Sequence, residues 1–485
     1  MTKRGRADSS TCRMTKRCDP AQTRACPERS RPRGSVRRSV TCPTLRPRRA
    51  ARIPRDGPRR RWMTRSGTAC TPWRPSARWA ARRSTALDGY ILGVVGGAIN
   101  SATDEMEFSP FSQGLVGASA LIGIFVGGFF FGRAADRWGR RVVFRWNLIA
   151  FVVLSLLQLV TFSTWDLSAY RILLGIAIGV EYAVGAALLS EFVPARTRGA
   201  LLSTLQTTWF LGFVSANFVA LAWADDNWRW VLASSAVPAL IVAIARIWLP
   251  ESPRWLQAQG RHAEAQAIVD KHFPPGTTLP EVSPVAETSK FSELFDKKHW
   301  RQTTYGGLFW ACQVGPLFAI FTFITPVLDD LGLPSGFWRD FIMNMLQLAG
   351  AAVFIWVVAV TKRRSLAIWT FGLTFAALLI LGVFPSAPLA VLAVATGAYL
   401  FIASGASNLQ FVYPSEMFPT RLRTSGVGFS ASMSRVGAAI ATYLLPVLIA
   451  SVGINASLLI LALFPLVGFL ASMAWAPETS KSTIH

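Results

Sequence analysis

Four ionisable residues, Asp88, Arg171, Glu181 and Arg435, sit inside long apolar runs. A charge in hydrocarbon costs roughly 2.5–3.5 kcal/mol even on a lenient scale, so each is a functional candidate. Helical rise of about 1.5 Å per residue converts sequence position into depth. Counted from the run ends, Asp88 lies about 18 Å deep, Glu181 about 22 Å and Arg435 about 21 Å, near the middle of a core about 30 Å thick. Arg171 lies higher, about 8 Å in. At that depth Asp88 or Glu181 can carry a proton. Arg435 can bind an anionic group, or hold a carboxylate ionised until substrate arrives. The blander alternative is a static buried ion pair that ties helices together. Amides that can hydrogen-bond a substrate are Gln206, Gln313, Asn344, Gln347, Asn408 and Gln410, and Trp209 and Trp310 can stack on a ring. Any of these can equally join two helices, since buried polar side chains bond across spans.

Positioning such residues takes spans. About 20 apolar residues cross a bilayer as a helix. Such runs recur near 84–100, 112–132, 142–163, 167–190, 200–223, 230–249, 304–328, 338–360, 365–384, 387–411, 425–448 and 453–475. The runs are continuous, whereas a membrane β-barrel needs short alternating strands. The turns alternate in charge. Arg133, Arg137, Arg140, Arg141 and Arg145 follow the second run, Arg196 and Arg198 the fourth, Lys362, Arg363 and Arg364 the eighth, and Arg421 and Arg423 the tenth. The opposite turns hold Asp104, Glu105 and Glu107, then Asp225 and Asp226, then Asp329 and Asp330. Positive loops stay cytoplasmic, so both termini are expected inside. Glycines at 123, 127 and 128 and at 175 and 179 suit close helix approach.

Ser190, Glu191, Pro194, Arg196 and Arg198 recur as Ser415, Glu416, Pro419, Arg421 and Arg423, at a constant offset of 225. Two six-helix halves in parallel repeat, with a solute site between them near the midplane, account for this. The expected fold is therefore all-α integral membrane, with twelve transmembrane helices in two pseudo-symmetric bundles, 84–249 and 304–476. They are joined by a cytoplasmic linker, 250–303, with amphipathic helices, and followed by a short tail, 477–485.

Gly132, Asp136, Arg137, Gly139, Arg140 and Arg141 match the loop signature of the major facilitator superfamily, which the chain resembles over about 88–480. The segment Pro250, Glu251, Ser252, Pro253, Arg254 and Trp255 resembles the sugar-porter signature, and Pro477, Glu478 and Thr479 its C-terminal counterpart. The resemblance implies a transporter. It implies that Arg171 matches a span-4 arginine that pairs with a span-1 carboxylate in proton-coupled members. In that pattern the carboxylate follows Gly-Tyr, where this chain has Ile91; its nearest acid is Asp88, one turn earlier, as in aromatic-acid and metabolite/proton symporters. Gln206 matches a sugar-contacting position, and Gln313 lies near the span-7 glutamine pair. Acids among the inner arginines suggest a cytoplasmic gate. It is expected to comprise the loop-signature residues with Glu191, Arg196, Arg198, Glu251, Arg254, Glu416, Arg421 and Arg423. Inner arginines that only orient the chain are the plainer reading.

The net charge of +24 is not spread evenly. Residues 1–83 carry 25 Lys and Arg against 4 Asp and Glu, and residues 84–485 carry 25 against 22. With 52% hydrophobic residues and a mean hydropathy of +0.36 over the whole chain, a soluble globule is excluded. The tail holds Cys12, Cys18, Cys26, Cys42 and Cys70 without histidine, which argues against a zinc module. Its composition is that of a disordered, lipid-attracted segment, or of a GC-rich upstream stretch read from a mis-assigned start. No phosphate-binding loop, metal constellation or nucleophile–base arrangement is visible, so no enzyme, cofactor or metal is expected, and no nucleic-acid partner. The expected partners are a small polar metabolite (organic acid or sugar-like), a proton and the lipid bilayer. The expected protein is a monomeric importer of the plasma (inner) membrane. A uniporter or exporter on the same fold, or a non-transporting sensor or scaffold using the basic tail, are the alternatives.

Overall fold

The structure is a computed structural model that describes residues 76–138, 140–192, 198–246, 251, 253–272, 291–419 and 422–479. Most of the basic tail lies outside the described residues. The first half consists of α1 (Ser76–Met106), α2 (Pro110–Trp138), α3 (Arg140–Leu157), α4 (Thr164–Phe192), α5 (Arg198–Ala233) and α6 (Ala236–Arg246). Two short helices follow, α7 (Pro253–Ala258) and α8 (His262–His272). The second half consists of α9 (Trp300–Thr322), α10 (Ile324–Asp330), α11 (Phe337–Val360), α12 (Arg363–Val383), α13 (Leu389–Ala406), α14 (Leu409–Met417) and α15 (Arg423–Trp475). In lipid only a helix satisfies these backbone groups within one segment.

Several boundaries differ from the apolar pattern, each for a local reason. Helix α1 begins at Ser76 rather than Ser84, because the intervening alanines and arginines are strong helix formers. The fifth span ends at a kink at Asn227, whose φ/ψ of −148°/48° is not helical; the sixth joins the end of α5 to α6. The seventh run breaks at Phe323 into α9 and α10. Pro326 lacks the N–H that would bond the Thr322 carbonyl, so the ladder cannot run through. The tenth run is interrupted at Ser407 and Asn408, where the Asn408 Nδ2 donates to the Gly405 carbonyl at 3.0 Å and competes with the helix. The last two spans read as one helix, α15, bent at Gly453. Its φ of +81° and ψ of 166° suit glycine alone.

In the first half α1 packs along α5 and α2 along α4; in the second α15 packs along α9 and α12, and α11 along α13. A Cβ on Gly123 would meet the Ile172 carbonyl, and one on Gly175 the Ala120 carbonyl, so α2 and α4 touch backbone to backbone as their glycines suggested. The halves meet through α2 with α15, α5 with α11, and α1 with α9. Trp146 and Trp356, each 67% exposed, belong to a wide apolar outer surface that suits lipid rather than water.

Candidate functional site

Asp88 is placed by the α1–α5 seam. A Cβ on Gly89 would run into the Trp209 carbonyl, and one on Gly212 into the Ala86 carbonyl, so glycine on each helix lets them close and turns Asp88 inward. Asp88 is 1% exposed, and neither carboxylate oxygen has a hydrogen-bond partner. Glu181 (α4), Arg246 (α6) and Arg435 (α15) lie within its electrostatic reach. The three midspan charges whose depths agree by residue counting thus come together from both halves.

Glu181 is already engaged. Arg246 grips it with both guanidinium ends, Nη2 to Oε1 at 2.6 Å and Nη1 to Oε2 at 3.1 Å. Parallel bonds of this kind are the strong form of ion pair. Arg435 is held differently. Its guanidinium lies 5.3 Å from the ring centre of Tyr182 and 5.7 Å from that of Phe318, and its buried Nη1 has no acceptor. Around it, Trp209 stacks on Phe213 at 5.4 Å and meets Phe318 at 5.7 Å, an aromatic wall joining α5 to α9.

Arg171 departs from the family-derived expectation. It is buried, yet none of its three guanidinium nitrogens has a hydrogen-bond partner among the described residues, and it is not among the charges acting on Asp88. The amides also divide. Asn408 donates to the Ala351 carbonyl at 2.9 Å and Asn344 to its own helix, from Nδ2 to the Asp340 carbonyl at 2.8 Å. Gln347 is fully buried with both side-chain polar atoms unpaired, and Gln206 is half-buried on α5. Gln410 and Trp310 are buried. Gln313 faces a small void within the second half, lined also by Cys312, Thr370, Thr374 and Tyr399, so it points between α9, α12 and α13.

At the arginine-rich end, Glu416 accepts from the Arg363 Nε at 3.3 Å and the Thr479 hydroxyl at 2.6 Å. Glu478 accepts the backbone N–H groups of Arg363 at 3.1 Å and Arg364 at 3.3 Å, capping the N-terminus of α12 with a carboxylate. The Tyr413 hydroxyl donates to the Pro477 carbonyl at 2.6 Å. The turn that lacks the Asp and Gly of the loop signature therefore borrows its acids from α14 and the chain end. Glu251 is described and half-buried, and the Arg423 Nε is buried without a partner. Gly139, Arg196 and Arg421 lie outside the described residues. The backbones of Gly132, Asp136, Arg137, Arg140, Arg141, Glu191, Arg198 and Arg254 are helical, and their side chains lie outside the described set.

Residues 79–485 match the family described as "Sugar (and other) transporter". The chain belongs to this family of the major facilitator superfamily. It is 38% identical over 395 residues to the inner membrane metabolite transport protein YgcS of Escherichia coli K12, covering 81% of this chain and 88% of that one. It is 35% identical over 399 residues to the putative metabolite transport protein YaaU of the same strain, covering 81% and 89%. The fold is similar to that of the E. coli xylose transporter XylE in a partially occluded inward-open conformation, with a TM-score of 0.69 at 21% identity over 84% of this chain and 99% of that one. This sugar-transporter family member is thus a multi-pass membrane protein with the twelve-helix fold in two bundles, and a metabolite transporter rather than an enzyme.

Sequence reasoning about this transporter missed Arg246, Tyr182 and Phe318. Arg246 closes the last turn of α6 and looks like another end-of-span arginine; its position inside an expected span was the available signal. Nothing in the sequence marks Tyr182 or Phe318 among so many aromatics. Two arginines at the acidic end were also missed. Arg229 pairs with Glu105 at 2.6 Å, beside the Trp228 Nε1 donating to the same carboxylate at 2.6 Å, and Arg339 pairs with Asp329 at 2.5 Å.

Proposed function

We propose that this transporter imports a small polar metabolite, an organic acid or sugar-like compound, together with a proton by alternating access. One observation carries the proton: Asp88 is buried at the α1–α5 seam with no donor on either oxygen, whereas Glu181 is held by Arg246. An unpaired carboxylate in so dry a place is costly, and a proton offsets that cost. Asp88 is the proton carrier, Glu181 and Arg246 fix α4 to α6 beside it, and Arg171 is a reserve cation higher in the same half. Arg435 and the half-exposed Gln206 receive the substrate, with Gln347, Asn344, Asn408, Gln410, Trp310 and Gln313 as the second-half candidates. The charged groups at the arginine-rich end, Glu416 with Arg363 among them, form the gate on that side. The arginine-rich end faces the cytoplasm, as do both termini, and a single chain is the working unit.

Uptake into membrane vesicles with and without a pH gradient tests the reading. Collapse of the gradient abolishes accumulation if it is correct. Accumulation that ignores the collapse overturns it. Asp88→Asn is expected to lose concentrative uptake and to retain exchange of substrate across the membrane.

A further inference from the structure

The central cluster contains two acids and two arginines. Glu181 and Arg246 neutralise each other through two hydrogen bonds, with side chains only 5% and 7% exposed. That leaves Asp88, with no donor, and Arg435, whose Nη1 is buried without an acceptor. They lie within electrostatic reach of one another, and no hydrogen bond joins them. Tyr182 and Phe318 flank the Arg435 guanidinium at 5.3 and 5.7 Å. Tyr182 also takes a hydrogen bond from this guanidinium, while Nη1 has no acceptor, so that end of the fork stays available. A planar cation with one free Nη1 between aromatic neighbours is suited to a carboxylate oxygen.

Charge counting over the four groups then favours an anionic over a neutral cargo. With Asp88 ionised the four groups sum to zero. With a proton on Asp88 they sum to +1, and a bound monoanion restores zero. A neutral sugar would leave the loaded site at +1 in a dry surrounding that penalises charge. Among the described residues, Glu181 is the one further acid acting on Asp88. Residues 204–223 of α5, 302–322 of α9 and 110–128 of α2 contain no charged side chain. On α4, Arg171 would add a further positive charge, and Asp166 lies 15 residues from Glu181 toward the acidic end.

We infer that the cargo is a carboxylate monoanion carried one-to-one with a proton, with Arg435 as its anchor, so that the loaded crossing is electroneutral. This rests on the proton-coupled reading above and adds the substrate class. Proton and anion then bind as a linked pair, each making room for the other.

The test uses the full chain in liposomes, with gluconate, glucuronate and benzoate as acids and glucose, xylose and benzyl alcohol as neutral counterparts. Uptake is measured under a pH gradient alone and under a potassium–valinomycin potential alone. The expected result is acid uptake that follows the pH gradient and ignores the potential. Arg435→Gln is expected to weaken it roughly ten- to hundredfold, the loss of one charge-assisted contact pair, and Arg435→Lys to rescue part of it. Asp88→Asn gives a second readout: acid binding, followed by tryptophan fluorescence, becomes independent of pH, whereas wild-type affinity falls as pH rises. Neutral-sugar uptake driven by the gradient and accelerated by a negative interior overturns the inference and leaves proton coupling standing. Uptake of none of the acids also overturns it. Transport indifferent to the pH gradient overturns both readings.

Discussion

The Glu181–Arg246 pair gives the sharpest test of the energetics around the site. Replacing Arg246 by Met keeps the volume and leaves the Glu181 carboxylate, 5% exposed, without its partner. Two bonds of 2.6 and 3.1 Å place the charge centres about 4 Å apart, where the attraction is about 4 kcal/mol at an effective dielectric of about 20. Breaking one side of a buried pair costs about 3–5 kcal/mol, because the orphaned charge keeps its desolvation penalty. Replacing both sides with neutral residues is close to neutral. Arg246→Met and Glu181→Gln are therefore each expected to lower the thermal unfolding midpoint of the purified protein, and the double variant to recover most of the loss. Midpoints are compared at one scan rate, since unfolding of such a protein is governed by a rate. Single variants as stable as wild type, or a double variant whose loss equals the sum of the singles, would refute the reasoning.

Other consequences are separable. Gly114→Val sets a side chain against the Tyr443 carbonyl and must push α2 from α15 at the acidic end, so a cysteine placed at Thr442 is expected to label severalfold faster; an unchanged rate contradicts this. Arg229, and then Trp228, hold the Glu105 carboxyl below its ordinary value of about 4.5. That contact contributes fully above this value and is lost as pH falls through the lower folded value. A stability profile of Glu105→Gln is expected to lose this acid limb, and an unaltered limb argues against the contact. Glu478→Ala removes the cap of α12, a loss of about 0.5–2 kcal/mol. Hydrogen exchange is expected to quicken over the first turn after Lys362, and unchanged protection speaks against it.

The passes were legible because hydrocarbon demands long apolar runs, whatever their detailed packing. Depth was legible too: fixed helical rise was enough to bring Asp88, Glu181 and Arg435 to one level. Azimuth was not. Arg171 and Gln313 lie on spans that a sequence can count, and the direction each faces depends on neighbours it cannot see, such as the α2–α4 glycine seam. Helix breaks at Phe323 and Asn408 were missed because hydropathy continues smoothly through them; Pro326 and the Asn408 amide were the local signs. The repeated Glu–Pro–Arg pattern located Glu416, and the structure added that Arg363 and Thr479 answer it. Its first-half counterpart, Glu191, has its side chain outside the described residues.

The central claim is that Asp88 takes up and releases the coupled proton. Infrared difference spectroscopy of the reconstituted protein across a pH titration reads this without knowledge of the substrate. A protonated-carboxyl carbonyl band that titrates in wild type and is missing from Asp88→Asn is the predicted result. A spectrum in which Asp88→Asn keeps the same titrating band would contradict the account.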